Sequence, residues 1–154
     1  MSDAEKVAYA TRLFGTLFGL AVRAVSEKYG TEGLDYLRTC FFDCGNRLGA
    51  NDIRRLKPDE MNAKGYHRLL VEALSTFGIP YEVKELSDKR YVVRLHDCPH
   101  AKNFSDVGAP PGICDVFLAW DEGLVRALNP RFEFKLTKYV LRGDPYCEYV
   151  LEEK

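Results

Sequence analysis

The hydrophobic period changes once along this chain, and that change constrains the fold more than any other feature. Before Gly78-Ile79-Pro80, apolar residues recur every three or four positions; beyond it, Tyr81 and Val83 alternate with Glu82 and Lys84, and Tyr91, Val93 and Leu95 with Val92, Arg94 and His96. A helical half is therefore followed by a strand-bearing half. At 154 residues and 46% hydrophobic content, the chain carries enough apolar material for one core, so the two halves are expected to fold together. The reading is a single α+β domain over residues 1–154: a helical part (1–79), then β-β-α-β-β (80–154) forming an antiparallel four-stranded sheet with helices on one face.

In the first half, Val7, Ala10, Leu13, Phe14, Leu17, Phe18, Ala21, Val22 and Val25 outline an amphipathic helix over residues 3–29, capped by Ser2 or Asp3 and stopped at Gly30. Gly15 and Gly19 on it permit close approach, either to the core or to a second copy, and a homodimer through this helix is expected. Thr31 caps a second helix whose apolar residues Leu34, Leu37, Phe41 and Leu48 lead to Gly49. Cys40 and Cys44 share a face of it and read as buried core. A short helical piece over 51–56 is broken by Lys57-Pro58, and a third helix over 62–77 points Leu69, Leu70, Ala73, Leu74 and Phe77 inward. His67 on that helix reads as partly exposed and without function.

In the second half, two strands flank Ser87-Asp88-Lys89. Pro99, residues 103–106 and Pro110-Pro111 read as a loop before a fourth helix, 113–128, which Asn129-Pro130 stops. A third strand runs from Phe132 to about residue 141, and Gly143-Asp144-Pro145 turns the chain into a last strand over 146–151. The uncovered sheet face, expected to carry many of the nine tyrosines, is the place for a ligand or a second subunit.

Charge excludes some partners. With 22 basic and 23 acidic residues and a net charge of -1, nothing in the composition would hold nucleic acid or an anionic membrane. No run approaches the ~18 apolar residues of a membrane span, and Ser2-Asp3-Ala4-Glu5-Lys6 does not begin like a signal segment, so a cytoplasmic location is expected. Five cysteines in such a chain point to reduced thiols, metal ligands or reactive groups rather than a disulfide framework.

Three of those cysteines stand at element ends: Cys98 in His96-Asp97-Cys98-Pro99-His100, Cys114 at the start of the fourth helix, and Cys147 in the last strand. Two chemistries use such a set. Cys98, Cys114 and Cys147 with His96 or His100 are the donor types for zinc or another thiophilic metal. Alternatively, Cys98 or Cys114 is a nucleophile activated by His96 or His100, with Cys114 favoured further because the positive end of a helix lowers a thiol's pKa. Asp115, Asp121 and Asp144 are candidate orienting or proton-transfer carboxylates, Asp144 being also a natural turn residue. Small thiols that merely fill the seam between helix and sheet are the third reading.

The sequence Cys98-Pro99, Cys114, Asp121, Asn129-Pro130 and Gly143-Asp144-Pro145-Tyr146-Cys147-Glu148-Tyr149 resembles the L-2-amino-thiazoline-4-carboxylic acid hydrolase-like family and, more distantly, the 4-vinyl reductase small-molecule-binding domains. The likeness is sharpest over residues 90–153. The first resemblance implies a small-molecule substrate and hydrolytic opening of a cyclic amidine, with Cys98, Cys114 and Cys147 carried over and His100 and Asp121 beside them as catalytic candidates. The second implies a non-catalytic hydrophobic ligand pocket beside a zinc site. Cys114 and Cys147 match ligand positions of that site, but Leu136 and Tyr139 stand where those domains supply a glutamate and a cysteine, so Cys98 or His100 would have to complete it.

Overall fold

The computed structural model describes all of residues 1–154. Helix α1 (Asp3–Ile53) opens with a reciprocal cap: Ser2 Oγ accepts from the Glu5 amide while the Glu5 carboxylate accepts from the Ser2 amide. Gly30 breaks it into two arms, because φ 61° and ψ -145° lie outside the helical region and are accessible to glycine. The second arm does not stop at Gly49. It continues to Ile53, since Gly49 is a packing residue against Leu124 rather than a terminator.

Helix α2 (Ala63–Thr76) starts under Asn62, whose side chain accepts from the amides of Lys64 and Gly65, and ends before Gly78 at φ 64°. Strands β1 (Tyr81–Leu86) and β2 (Arg90–Leu95) form the expected hairpin. The segment read as a loop then holds a helix, α3 (Pro99–Asp106), which buries His100, Ala101, Asn103 and Phe104. Its proline sits in the first turn, where the missing N–H costs nothing. Helix α4 (Ile113–Leu128) follows, then β3 (Phe132–Lys138) and β4 (Cys147–Glu153). β3 ends three residues earlier than expected because residues Val140–Arg142 form a short 3-10 turn closed by Gly143 at φ 96°.

The sheet is antiparallel in the order β1-β2-β4-β3. Pairing of Leu95 with Cys147 sets the start of β4 beside the end of β2. One face presents Tyr91, Val93, Leu95, Phe132, Phe134, Tyr149 and Leu151 to the helices as the main core. The other face is not the tyrosine-rich surface that the sequence suggests. It is a ladder of ion pairs, Arg94–Glu148 at 2.7 Å, Arg90–Glu152 at 3.3 Å and Lys135–Glu152 at 3.1 Å, while Tyr66, Tyr91, Tyr139 and Tyr149 are buried. Strand alternation decides this, since Tyr91 and Tyr149 share the parity of Val93 and Leu151.

Glycines set how closely the helices approach. Gly15 faces Asn103 and Gly19 faces Val107 within the chain, so a dimer contact through these two glycines is not available. On α1's second arm, a Cβ at Gly45 would overlap the Trp120 carbonyl, and one at Gly123 of α4 would overlap the carbonyl of Phe42. The two helices thus touch backbone to backbone. We expect Gly45→Ala or Gly123→Ala to destabilise the protein by about 1–3 kcal/mol or more, because rigid backbone rather than a flexible side chain must move. Urea unfolding checks this, with Gly143→Ala separating the steric effect from the cost of losing a left-handed glycine, since nothing stands within 4 Å there.

Candidate functional site

Between the two arms of α1, helices α2 and α4 and the inner face of the sheet lies a cavity of about 590 Å³. Most of its lining is apolar, and its polar members Arg55, Glu72 and Thr76, which are exposed, and Asp52, which is half-buried, mark where it opens. Cys98, His100, Cys114, Asp121 and Cys147 all line it. The fold brings the thiols there from three directions. Cys98 precedes α3, Cys114 is the second residue of α4, and Cys147 is the first of β4.

His96 is not part of this group. It is exposed, lies against Tyr146 and is 3.4 Å from Glu82. Asp115 pairs with Arg142 at 2.6 Å on the surface, and Asp144 accepts from the Tyr139 amide at 2.8 Å, which is a turn role. Cys40 is half-buried and Cys44 is exposed, which corrects the expectation that both fill the core. The close helix contact on that arm is made by Gly45 and Gly49 instead. His67 is half-buried, with its ring 4.9 Å from that of Tyr91.

Burial governs the chemistry of what remains. Desolvation raises the pKa of all three thiols, Cys147 to about 11. At Cys98 the amides of Ala101 and His100 act the other way without prevailing. Cys114 corrects the expectation of a thiol activated by its helix: burial, then the nearby Cys147 and Cys98, push it up, and this outweighs a helix terminus worth about 0.3–1 kcal/mol. These groups are thiols rather than thiolates at neutral pH.

His100 is only 2% exposed and sits among Phe14, Phe77, Phe104 and Phe117, with ring centroids 4.8–6.1 Å away. Neither ring nitrogen has a hydrogen-bond partner, and burial lowers its pKa to about 4. It is a neutral imidazole, with one donor and one acceptor free. Asp121 accepts from the hydroxyl of buried Tyr66 at 2.9 Å, yet desolvation still raises its carboxyl to about 6. Tyr66 carries no sequence signal beyond its place within the predicted third helix, and it is not among the residues expected to point inward.

The donors do not close a metal site. No group of three or more His, Cys, Asp or Glu side chains is disposed to hold an ion. Tyr139, at the position where the zinc-binding domains have a cysteine, accepts from the Cys114 amide at 3.3 Å and donates to the Pro111 carbonyl. Leu136, at the glutamate position, is part of the apolar wall. Zinc needs about four ligands at 2.0–2.3 Å, and this arrangement does not fit it.

A family model for L-2-amino-thiazoline-4-carboxylic acid hydrolase matches residues 10–151. The chain belongs to that family. No curated protein matches it. Among solved structures, the fold is shared with a trafficking protein particle complex subunit 3 from Naegleria fowleri, covalently bound to palmitic acid (TM-score 0.66, 16% identity, covering 95% of this chain and 96% of that one). It is also shared with the phenol-responsive sensory domain of the transcription activator PoxR with phenol (TM-score 0.60, 15% identity, 93% and 74%). No helix of this hydrolase-family chain is long and apolar enough to cross a membrane.

Timed iodoacetamide labelling at neutral pH should modify exposed Cys44 first and buried Cys114 and Cys147 last. Cys147, with a pKa of about 11, is thiolate in roughly one molecule in ten thousand at pH 7, so its labelling should quicken with each unit of rising pH. A chelator should change none of these rates. Acceleration of Cys98, Cys114 and Cys147 by chelator would instead reveal a metal held by them.

Proposed function

We propose that this protein binds a small, mainly apolar molecule in the cavity, with His100 supplying the polar contact that orients it. The observation that carries the reading is the pair of free nitrogens on a 2% exposed imidazole lining an apolar cavity. A buried polar group left unpaired costs about 1–3 kcal/mol, and a ligand hydroxyl or carbonyl removes that cost. The volume, about 590 Å³, falls in the range of ~300–1,000 Å³ usual for such sites. The phenol of one structural neighbour and the palmitate of another support a mainly apolar guest.

Phenol is a suitable first probe, followed by isothermal titration and thermal unfolding. His100→Leu should weaken phenol binding by about tenfold while raising the stability of the empty protein by about 1 kcal/mol, since it removes an unsatisfied group without opening a void. A variant that loses stability and keeps its affinity would refute the assignment.

A second reading is catalytic, and family membership favours it. Water adds to the carbon between nitrogen and sulfur of a cyclic amidine and the adduct collapses by breaking a ring bond at that carbon, the departing sulfur or nitrogen taking a proton; if one of the thiols adds first, water releases it in a second step. Asp121, with a carboxyl pKa of about 6, is a proton carrier close to the working pH. His100 is the candidate proton acceptor and Cys98 or Cys114 the candidate nucleophile, although the raised thiol pKa values place the burden on substrate binding to ionise them. Incubation with 2-amino-thiazoline-4-carboxylate should then yield a product heavier by one water, slowed at least about 100-fold in Asp121→Asn. Absence of that product, with phenol still bound, leaves the binding reading alone.

A further inference from the structure

Asp121 is a carboxylate in a cavity without a cation to match it. Its one side-chain partner is the Tyr66 hydroxyl, at 2.9 Å, and no lysine, arginine or histidine pairs with it. Neighbouring Glu122 is already bound to Arg38 at 2.5 Å, and its charge acts on Asp121 in the unfavourable direction. The cavity's one arginine, Arg55, is held at the opening by Glu72 at 2.7 Å and Asp52 at 3.4 Å. The lining therefore sets three carboxylates against one guanidinium, with His100 neutral.

A desolvated carboxylate persists where something pairs with it, and breaking such a pair is costly. Within the chain nothing performs that task here. Tyr66 is fully buried and orients one carboxylate oxygen, and the aromatic rings of Trp120 and Tyr149 share the same lining. A carboxylate with aromatic neighbours is a setting for an organic cation, which gains a charge-assisted hydrogen bond and contact with ring faces.

We infer that Asp121, held in place by Tyr66, is the anchor for a protonated nitrogen on the cavity's ligand, and that it selects an amidinium or alkylammonium over a neutral molecule of the same shape. This rests on the cavity being a ligand site. Asp121 touches the ligand in this assignment, whereas Tyr66 is a positioning residue that acts through the carboxylate. The neutral His100 meets the other, uncharged part of the same guest.

The test compares isosteric pairs, benzamidine with benzamide and benzylamine with benzyl alcohol, by isothermal titration at about pH 8, where the carboxyl is ionised and both nitrogen bases are protonated. The cationic member of each pair should bind about 10- to 100-fold more tightly. Asp121→Asn should abolish that preference by weakening the cationic member of each pair, and Tyr66→Phe should reduce the preference without abolishing it. Equal affinities in the native protein overturn the inference but leave the cavity reading standing, as neutral ligands still bind. A preference that survives Asp121→Asn also overturns it. If no member of either pair binds, both readings fail. The comparison in the native protein and the Tyr66→Phe result keep the inference open to refutation should Asp121→Asn fold poorly.

Discussion

The backbone contact between α1 and α4 sets the dimensions of everything else. At Gly45 and Gly123 the helices meet with no side chain between them, the closest approach that two helices can make. Nearly two turns before Gly123 along α4, rings replace the glycines. There Phe117 stands 5.6 Å from Phe18 and 6.1 Å from Phe14, and Phe18 in turn lies 5.3 Å from Phe41. Small residues pull the helices together at one point and large rings hold them apart at the next. Phe14, Phe41 and Phe117 of that ring cluster line the cavity, whereas Gly45 and Gly123 do not.

Burial in that cavity then dictates chemical character. The same desolvation raises three thiols, lowers an imidazole to about 4 and raises a carboxyl to about 6. Every one of these shifts favours the neutral form. The effect at His100 is the clearest, because four aromatic rings surround it and no hydrogen bond compensates. At neutral pH the site is an apolar chamber with neutral polar points, Arg55 paired with Asp52 and Glu72, and Asp121 as the carboxylate without a cation, which suits recognition as it stands and nucleophilic attack only after a guest changes its electrostatics.

Much of this fold can be read from the sequence, and the parts that cannot have identifiable causes. The switch from a three-to-four to a two-residue period separates α1 and α2 from the hairpin, and Asn62, Gly78 and Gly143 mark boundaries by capping or left-handed geometry. Helix α3 is hidden because eight residues, including Lys102, Asn103, Ser105 and Asp106, are too few to display a period, and prolines on both sides imitate a loop. The gathering of Cys98, Cys114 and Cys147 around one cavity is suggested by their places at element ends. What the sequence does not contain is their state: burial of Cys114 defeats its helix terminus, and Tyr66 reaches Asp121 across a distance of 55 residues that no local pattern encodes. The exposure of Cys44 has the same origin, since the buried face of its helix is made of glycines that a hydrophobicity pattern passes over.

A likeness at 15–16% identity shows a shared fold. In this chain the lining divides by chemistry. In the assignments proposed above, the unpartnered imidazole would take a hydrogen-bonding neutral group and the carboxylate held by Tyr66 a positive charge. A guest satisfying both would have a polar function on each side of an apolar middle, and Arg55, the one arginine of the lining, is already paired with Glu72 and Asp52. Catalysis places a stricter demand on the same residues than binding does. A cation bound at Asp121 would stabilise its ionised form and lower that pKa, moving the carboxyl away from the proton-donor state, whereas a neutral guest supplies no such charge. On these proposals, the protonation state of the guest would set whether Asp121 serves as an anchor or as an acid.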